Sequence, residues 1–157
     1  MPTAEIVYGV REIGRLVDYE VDGSDLRMLD FWEDEDYYVF NAHLMRCYLI
    51  PIGDDVRNAI LTLDTEYFGL FVDDGGGARL VARASVERYS PDKWEVADVC
   101  AEPAYRRRGY EEMVVSAAAK FIFANGRMPT MRAYPDDRAL IRVIANTGFV
   151  QIGVVVE

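Results

Sequence analysis

Histidine and cysteine are nearly missing from this 157-residue chain, which holds one His and two Cys. The single imidazole, His43, has no CxxC or HxxxH motif near it, which argues against a zinc centre. It also lacks a believable Ser or Cys partner for a catalytic triad. Cys47 and Cys100 are too few for a disulfide framework. Each lies among apolar neighbours, so both read as buried thiols. No metal site is expected. Positive charge is scarce as well: 17 Lys and Arg stand against 27 Asp and Glu, a formal net charge of −10. That balance removes the basic footprint of a nucleic-acid binder and favours cations such as amines. No apolar run approaches the ~18 residues of a membrane span. The start, Met1 to Glu5, lacks the basic residues and apolar centre of a signal peptide. A cytoplasmic protein with no membrane partner is expected. No internal repeat or low-complexity linker is visible, and the length suits a single domain over residues 1–157.

Hydrophobic residues, at 51%, supply enough apolar surface for a packed core. Ile6, Val10, Ile13 and Val17 recur at helical spacing and predict a helix over about residues 4–18. The same stretch could instead open with a strand, Glu5-Ile6-Val7-Tyr8. Asp22-Gly23-Ser24-Asp25 reads as a turn followed by a helix cap. Five acids fall in the seven residues Asp30 to Asp36; they could steer a cation or form a solvated loop. Tyr37 to Ile52 reads as largely helical, ended by Pro51 and Gly53. From Thr65 the pattern is clearer. Thr65 to Val72 and Arg79 to Tyr89 form a hairpin across Asp73-Asp74-Gly75-Gly76-Gly77. Lys93 to Ala101 is a third strand.

The period then changes from 2 to 3.6. Tyr110, Met113, Val114, Ala117, Ala118, Phe121 and Ala124 share one helical stripe that stops at Asn125-Gly126. Met128 to Tyr134 is a strand. A short helix with Leu140, Ile141, Ile144 and Ala145 apolar stops at Thr147-Gly148, and Phe149 to Val156 is the last strand. The fold class is therefore α/β, a mixed sheet flanked by helices with an N-terminal helical segment.

The chemically informative segment is Pro103-Ala104-Tyr105-Arg106-Arg107-Arg108-Gly109-Tyr110, between a strand end and a helix start. Free backbone N–H groups and the positive end of a helix dipole gather at such a junction. Three arginines placed there suit a pyrophosphate. The alternative is a solvated basic turn paired with Glu102, Glu111 and Glu112.

Over residues 65–157 the order and spacing resemble the GNAT superfamily of acyl-CoA-dependent N-acyltransferases. The family's loop, Arg/Gln-x-x-Gly-x-Gly/Ala, matches Arg106-x-x-Gly109-x-Glu111, and Pro103-Ala104-Tyr105-Arg106 looks like its approach. Asp137 to Phe149 is similar to the family's short helix with its Gly-Phe end. The resemblance implies N-acetyl transfer from acetyl-CoA to a small-molecule or protein amine, by a protein that could be a homodimer. It implies a cofactor site at Ala101, Arg106, Arg107, Arg108, Gly109, Tyr110, Glu111 and Asp137. In one branch a strand Glu lies eleven positions before the loop motif, which here gives Glu95 as the catalytic base. The plainer role for Glu95 is pairing with Arg83 or Arg88 on the next strand. By strand parity Asp98 should face the other way.

Four departures stand out. Glu111 replaces the last Gly/Ala, where its charge would repel a pyrophosphate and weaken or abolish acetyl-CoA binding. Asp137 stands in place of an Asn, and the usual tyrosine of the following helix is absent. Only eight residues follow Phe149, so the family's usual seventh strand is expected to be short or absent. The rival to an enzyme is a GNAT-fold protein that has become a binding or regulatory module.

Overall fold

The computed structural model describes residues 4–19, 24–63 and 65–156. The strands are β1 (Ala4–Gly9), β2 (Ser24–Met28), β3 (Glu66–Asp73), β4 (Ala78–Glu87), β5 (Lys93–Ala101), β6 (Met128–Ala133) and β7 (Val150–Val156). The helices are α1 (Asp34–Arg46), α2 (Asp54–Thr62), α3 (Tyr110–Ala124) and α4 (Arg138–Asn146). One seven-stranded sheet runs in the order β2-β3-β4-β5-β6-β1-β7. Every pairing is antiparallel except β5 with β6. A parallel pair needs a long crossover, and α3 supplies it.

The parallel ladder is short: Lys93, Trp94 and Glu95 pair with Met128, Pro129 and Thr130. Beyond Glu95 the two strands part. On its other edge β5 carries a bulge, since its register with β4 shifts between Arg83 and Ser85. Asp98 sits in that bulge with φ of 49°. An extra residue bends its strand, which turns β5 away from β6 and opens a wedge in the sheet.

Two cores cover the two faces. On one side Val114, Val115, Ala118, Ala119 and Ile122 of α3 are fully buried and pack with Leu70, Val81, Ala82, Ala84 and Val96. On the other, Phe40 and Leu44 of α1 pack with Leu29, Phe31, Phe71 and Leu80. The buried side of α3 is wider than one stripe. Ala124 is exposed, while Val115, Ser116, Ala119 and Ile122 are buried, because the segment after β1 covers a second side: the Ser116 hydroxyl donates to the Val17 carbonyl at 2.9 Å.

The helix expected over residues 4–18 is a strand and a single 3-10 turn, Ile13–Arg15. Its helical spacing loses to the open hydrogen-bonding edges of β6 and β7, between which β1 inserts. Ser24–Met28 is likewise a strand, held on β3, and residues 22 and 23 lie outside the described residues. Helix α1 begins at Asp34, and its end comes at Arg46 rather than at Pro51. The Tyr48 N–H bonds to the Met45 carbonyl and the Leu49 N–H to that of Leu44, with Tyr48 itself left-handed at φ 61°. Helix α2 was not foreseen, and the seventh strand, expected to be short or absent, is the seven-residue β7, because β1 inserts beside it and pairs along its length.

The Gly-Phe end of α4 has a direct physical cause. Gly148 has φ of 100°, its N–H bonds to Ala145 and that of Phe149 to Ile144, closing the helix as a Schellman motif. The chain after β1 packs over this end: the Val17 N–H donates to the Thr147 carbonyl. A Cβ on Gly148 would lie 2.1 Å from the Arg15 carbonyl oxygen, whereas one on Gly126 (φ 72°), closing α3, would meet nothing within 4 Å. Gly148→Ala should therefore cost more than about 2 kcal/mol of stability, and Gly126→Ala only about 1 kcal/mol. Urea denaturation of both variants checks the difference; equal losses would show that close packing over α4 is not what fixes this glycine.

Candidate functional site

The loop after β5 is shaped by backbone restrictions. Glu102 ends the strand, Pro103–Tyr105 makes a 3-10 turn, Arg107 is left-handed at φ 62° and Gly109 at φ 80°. Gly109 is the N-cap of α3, and its carbonyl takes the first helical hydrogen bond from Met113. The first turn of α3, whose N–H groups have no intrahelical partner, lines a cavity of about 650 Å³ through Gly109, Tyr110, Glu111 and Glu112. Arg106 and Arg107 line it from the loop, and Arg138 and Arg142 from α4. The last two stand one helical turn apart. The sequence shows that spacing, but a pair of exposed arginines on an amphipathic helix is ordinary without the fold to aim them.

The acids of this cavity oppose its arginines. Glu111 and Glu112 both line it. Burial, followed by the charge of Glu112, raises the Glu111 pKa; Arg106 and a backbone hydrogen bond at Ala101 partly offset this. Other expected cofactor residues stand apart from the lining. The Arg108 guanidinium lies 5.1 Å from the centroid of the Tyr105 ring, which stacks on Tyr110. Asp137 caps α4, its carboxylate accepting from the Leu140 N–H at 3.2 Å. Ala101 is buried, and its carbonyl accepts from Arg106 Nε at 3.4 Å.

Glu95 occupies the apex of the wedge, beside a cavity of about 260 Å³. Its side chain is 16% exposed, and burial raises its pKa, with Arg132 opposing and Glu87 and Glu5 adding. Its ion-pair partner is Arg132 of β6, at 3.0 Å. Arg83 instead makes a two-point pair with Asp98, and Arg88 pairs with Glu66. The bulge also overturns the parity expectation: Asp98 lines the same cavity as Glu95.

Asp98 borders a third cavity as well, of about 630 Å³. Leu49, Ile50 and Ile52 form one wall, and Val56 and Ile60 of α2 another. Tyr67, Arg83, Glu87 and Asp98 make its floor, where the Tyr67 hydroxyl donates to Asp98 at 2.8 Å.

Beneath these cavities lies a polar network that sequence reasoning missed. Glu102 is 1% exposed; it accepts from Arg46 Nε and from Arg79 at 2.9 Å. His43, fully buried, lies 3.5 Å from Glu102 through Nδ1 and 3.0 Å from Arg83 through Nε2. A guanidinium can only donate, so Nε2 is the bare nitrogen and the single proton sits on Nδ1. Burial, then Arg83, lowers the His43 pKa to about 4. The Cys47 and Cys100 sulfurs lie 3.9 Å apart at the edge of this network, both half-buried thiols. Burial pushes Cys47 up to about 11.

The acidic run is largely structural. Asp36 is buried in a two-point pair with Arg27 and accepts from the Asp30 N–H; the Arg27 hydrogen bond holds its pKa down. Asp34 pairs with Arg57. Asp34, Glu35 and Asp36 form the first turn of α1, where negative charge complements the dipole. No helix among the described residues is long and apolar enough to cross a membrane, and these residues hold no cluster of metal-ligand type.

No protein-family model matches this sequence, and neither does any curated protein. Solved structures do match. A GCN5-related N-acetyltransferase from Kribbella flavida superposes on 99% of the chain with a TM-score of 0.70 at 18% identity, over 58% of its own length. A GNAT-family acetyltransferase from Colwellia psychrerythraea covers 98% of the chain (TM-score 0.69, 14% identity) over 54% of its length. A tandem GNAT protein from the clavulanic acid biosynthesis pathway covers 99% (TM-score 0.68, 15% identity) over 52% of its length. The chain thus has the GNAT fold and spans between about half and three fifths of the length of these structures.

The His43 geometry sets a pH dependence. Below its ordinary value of 6.5 the unfolded chain takes up a proton that native His43 refuses until about pH 4. Stability should therefore fall as pH drops from 6.5 to 4, by roughly 3 kcal/mol from this residue. Glu95 and Glu111, with raised values, act in the opposite sense but are common to native protein and variant. Urea denaturation between pH 7 and 4 should show a flatter profile in His43→Gln; parallel profiles would mean that native His43 titrates normally.

Proposed function

We propose that this chain transfers an acetyl group from acetyl-CoA to an amine. The observation that supports this best is that two features bound the C-terminal stretch of β5: its parting from β6 beyond Glu95 and the four-arginine cavity at the start of α3, which follows the strand's end. The donor set suits a pyrophosphate, since guanidinium groups and helix N–H groups bind phosphate oxygens in fixed geometry. Acetyl-CoA would supply a thioester-activated acyl group. Arg106, Arg107, Arg138 and Arg142 would hold its phosphates, with the N–H groups of the first turn of α3. Arg108, Ala101 and Asp137 would support the loop and α4 that present them. Glu95, with its raised pKa, would take a proton from the acceptor's ammonium, so that the neutral amine attacks the thioester carbon and the CoA thiolate leaves. The uncovered edges of β5 and β6 beyond Glu95 offer N–H and C=O groups that could align the donor.

Glu111 favours a second reading, a GNAT-fold protein without acyl transfer that binds a partner. A like charge 4–6 Å from a pyrophosphate costs about 3 kcal/mol at an effective dielectric near 20. A helix N-terminus returns only about 0.3–1 kcal/mol. The arginines must supply the remainder, or Glu111 must be protonated.

Isothermal titration separates the two readings. Acetyl-CoA should bind the native protein weakly, and more tightly as pH falls from 7 toward 5, because protonating Glu111 removes the repulsion. Glu111→Gly should bind more tightly at pH 7 and lose the part of the pH dependence that Glu111 contributes. Absence of binding by both proteins at either pH would leave only the partner-binding reading.

A further inference from the structure

The third cavity has a chemistry that narrows the acceptor. Its walls are aliphatic side chains from the 49–52 loop and α2. At its rim Tyr48 and Ile50 are 88% and 87% exposed, large apolar groups left facing water. Its floor is charged, but most of that charge is already neutralised. Arg83, 3% exposed, is committed to Asp98 in a two-point pair, and Asp98 also accepts from Tyr67. Among the described residues no ion pair engages Glu87, which is exposed at the end of β4. Glu87 lies opposite Glu95 in the β4–β5 ladder. Asp98 lines both this cavity and the wedge that holds Glu95.

A ligand seated here meets apolar walls at one end and a single available carboxylate at the other, beside the proposed base. A second ammonium group would lie against Ile52, Val56 and Ile60, where losing its hydration has no compensation. The volume, about 630 Å³, is that of a small-molecule site. We infer that this cavity takes a monoamine with one apolar body, aromatic or branched aliphatic, its ammonium held by Glu87 and aimed past Asp98 at Glu95. A polyamine or a heavily hydroxylated amine fits neither the walls nor the charge count. The inference deepens the acyl-transfer reading and rests on it for the fate of the amine, but not for its binding.

Titration of 2-phenylethylamine in the absence of acetyl-CoA tests it, with spermidine and methylamine as comparators, at concentrations up to about 10 mM. 2-Phenylethylamine should bind and both comparators should not. Glu87→Gln should weaken binding about tenfold. Val56→Lys, at a position already 42% exposed and so tolerant of a polar side chain, should abolish it. Spermidine binding as tightly as 2-phenylethylamine would overturn the inference. So would an absence of 2-phenylethylamine binding, whether or not the protein binds acetyl-CoA. A dimer that Ile50→Asp dissociates, with no amine binding, would assign the apolar face to a second copy of the chain and also overturn it. If 2-phenylethylamine binds as expected and acetyl-CoA does not, the cavity assignment stands and acyl transfer falls.

Discussion

A buried carboxylate governs the geometry of this protein. Glu102 lies at the point where β5 gives way to the arginine loop and is 1% exposed. An ion in such a place is expensive unless paired and fully hydrogen-bonded, and stripping it of its partners typically costs about 3–5 kcal/mol. Its partners come from two other elements, Arg46 from the end of α1 and Arg79 from β4. The end of β5, α1 and the sheet are thereby tied at one atom group. His43 joins the same carboxylate to Arg83, and Arg83 joins Asp98 and through it Tyr67. The polar chain thus reaches from the start of the arginine loop to the bulge that opens the sheet. A site held this way sits on elements whose own positions are fixed, as precise binding requires.

Backbone strain has a matching distribution. Three non-glycine residues among those described have positive φ: Tyr48, Asp98 and Arg107. Each lines a cavity: Tyr48 the apolar one, Asp98 both that one and the wedge, Arg107 the arginine-rich one. A left-handed conformation costs an ordinary residue roughly 1–2 kcal/mol. Strain persists where the surrounding structure over-determines it, and such places cluster at binding sites. Here the polar network holds Asp98, and the Schellman closure of α1 holds Tyr48.

The sequence is most legible where local pattern and tertiary role agree. The alternation of β5 survives folding as far as Ala97, where the bulge breaks it, and the helical spacing from Tyr110 survives as part of the wider buried side of α3. Gly126 and Gly148 mark helix ends because only glycine enters the left-handed region cheaply. The N-terminal third is opaque for the opposite reason. Strand β1 finds its partners more than a hundred residues away, in β6 and β7, and no local period announces that. Parity failed at Asp98 because one inserted residue reverses the faces, and a bulge has no reliable sequence mark. The loop arginines were readable from their motif, while Arg138 and Arg142 become site residues only once α4 lies beside α3. Nothing in the spacing of His43, Arg46, Arg79, Arg83 and Glu102 suggests that they meet.

The same logic leaves the acyl-transfer account resting on a charge balance: four arginines and a helix start on one side, Glu111 and Glu112 on the other. The most direct measurement is a crystal structure of the protein soaked with acetyl-CoA at pH 5. The account predicts the pyrophosphate on the N–H groups that open α3, between the loop arginines and those of α4, with the Glu111 side chain displaced from its present position. It also predicts the acetyl group in the wedge between β5 and β6, facing Glu95. A pyrophosphate bound elsewhere, or an acetyl group outside that wedge, would contradict it.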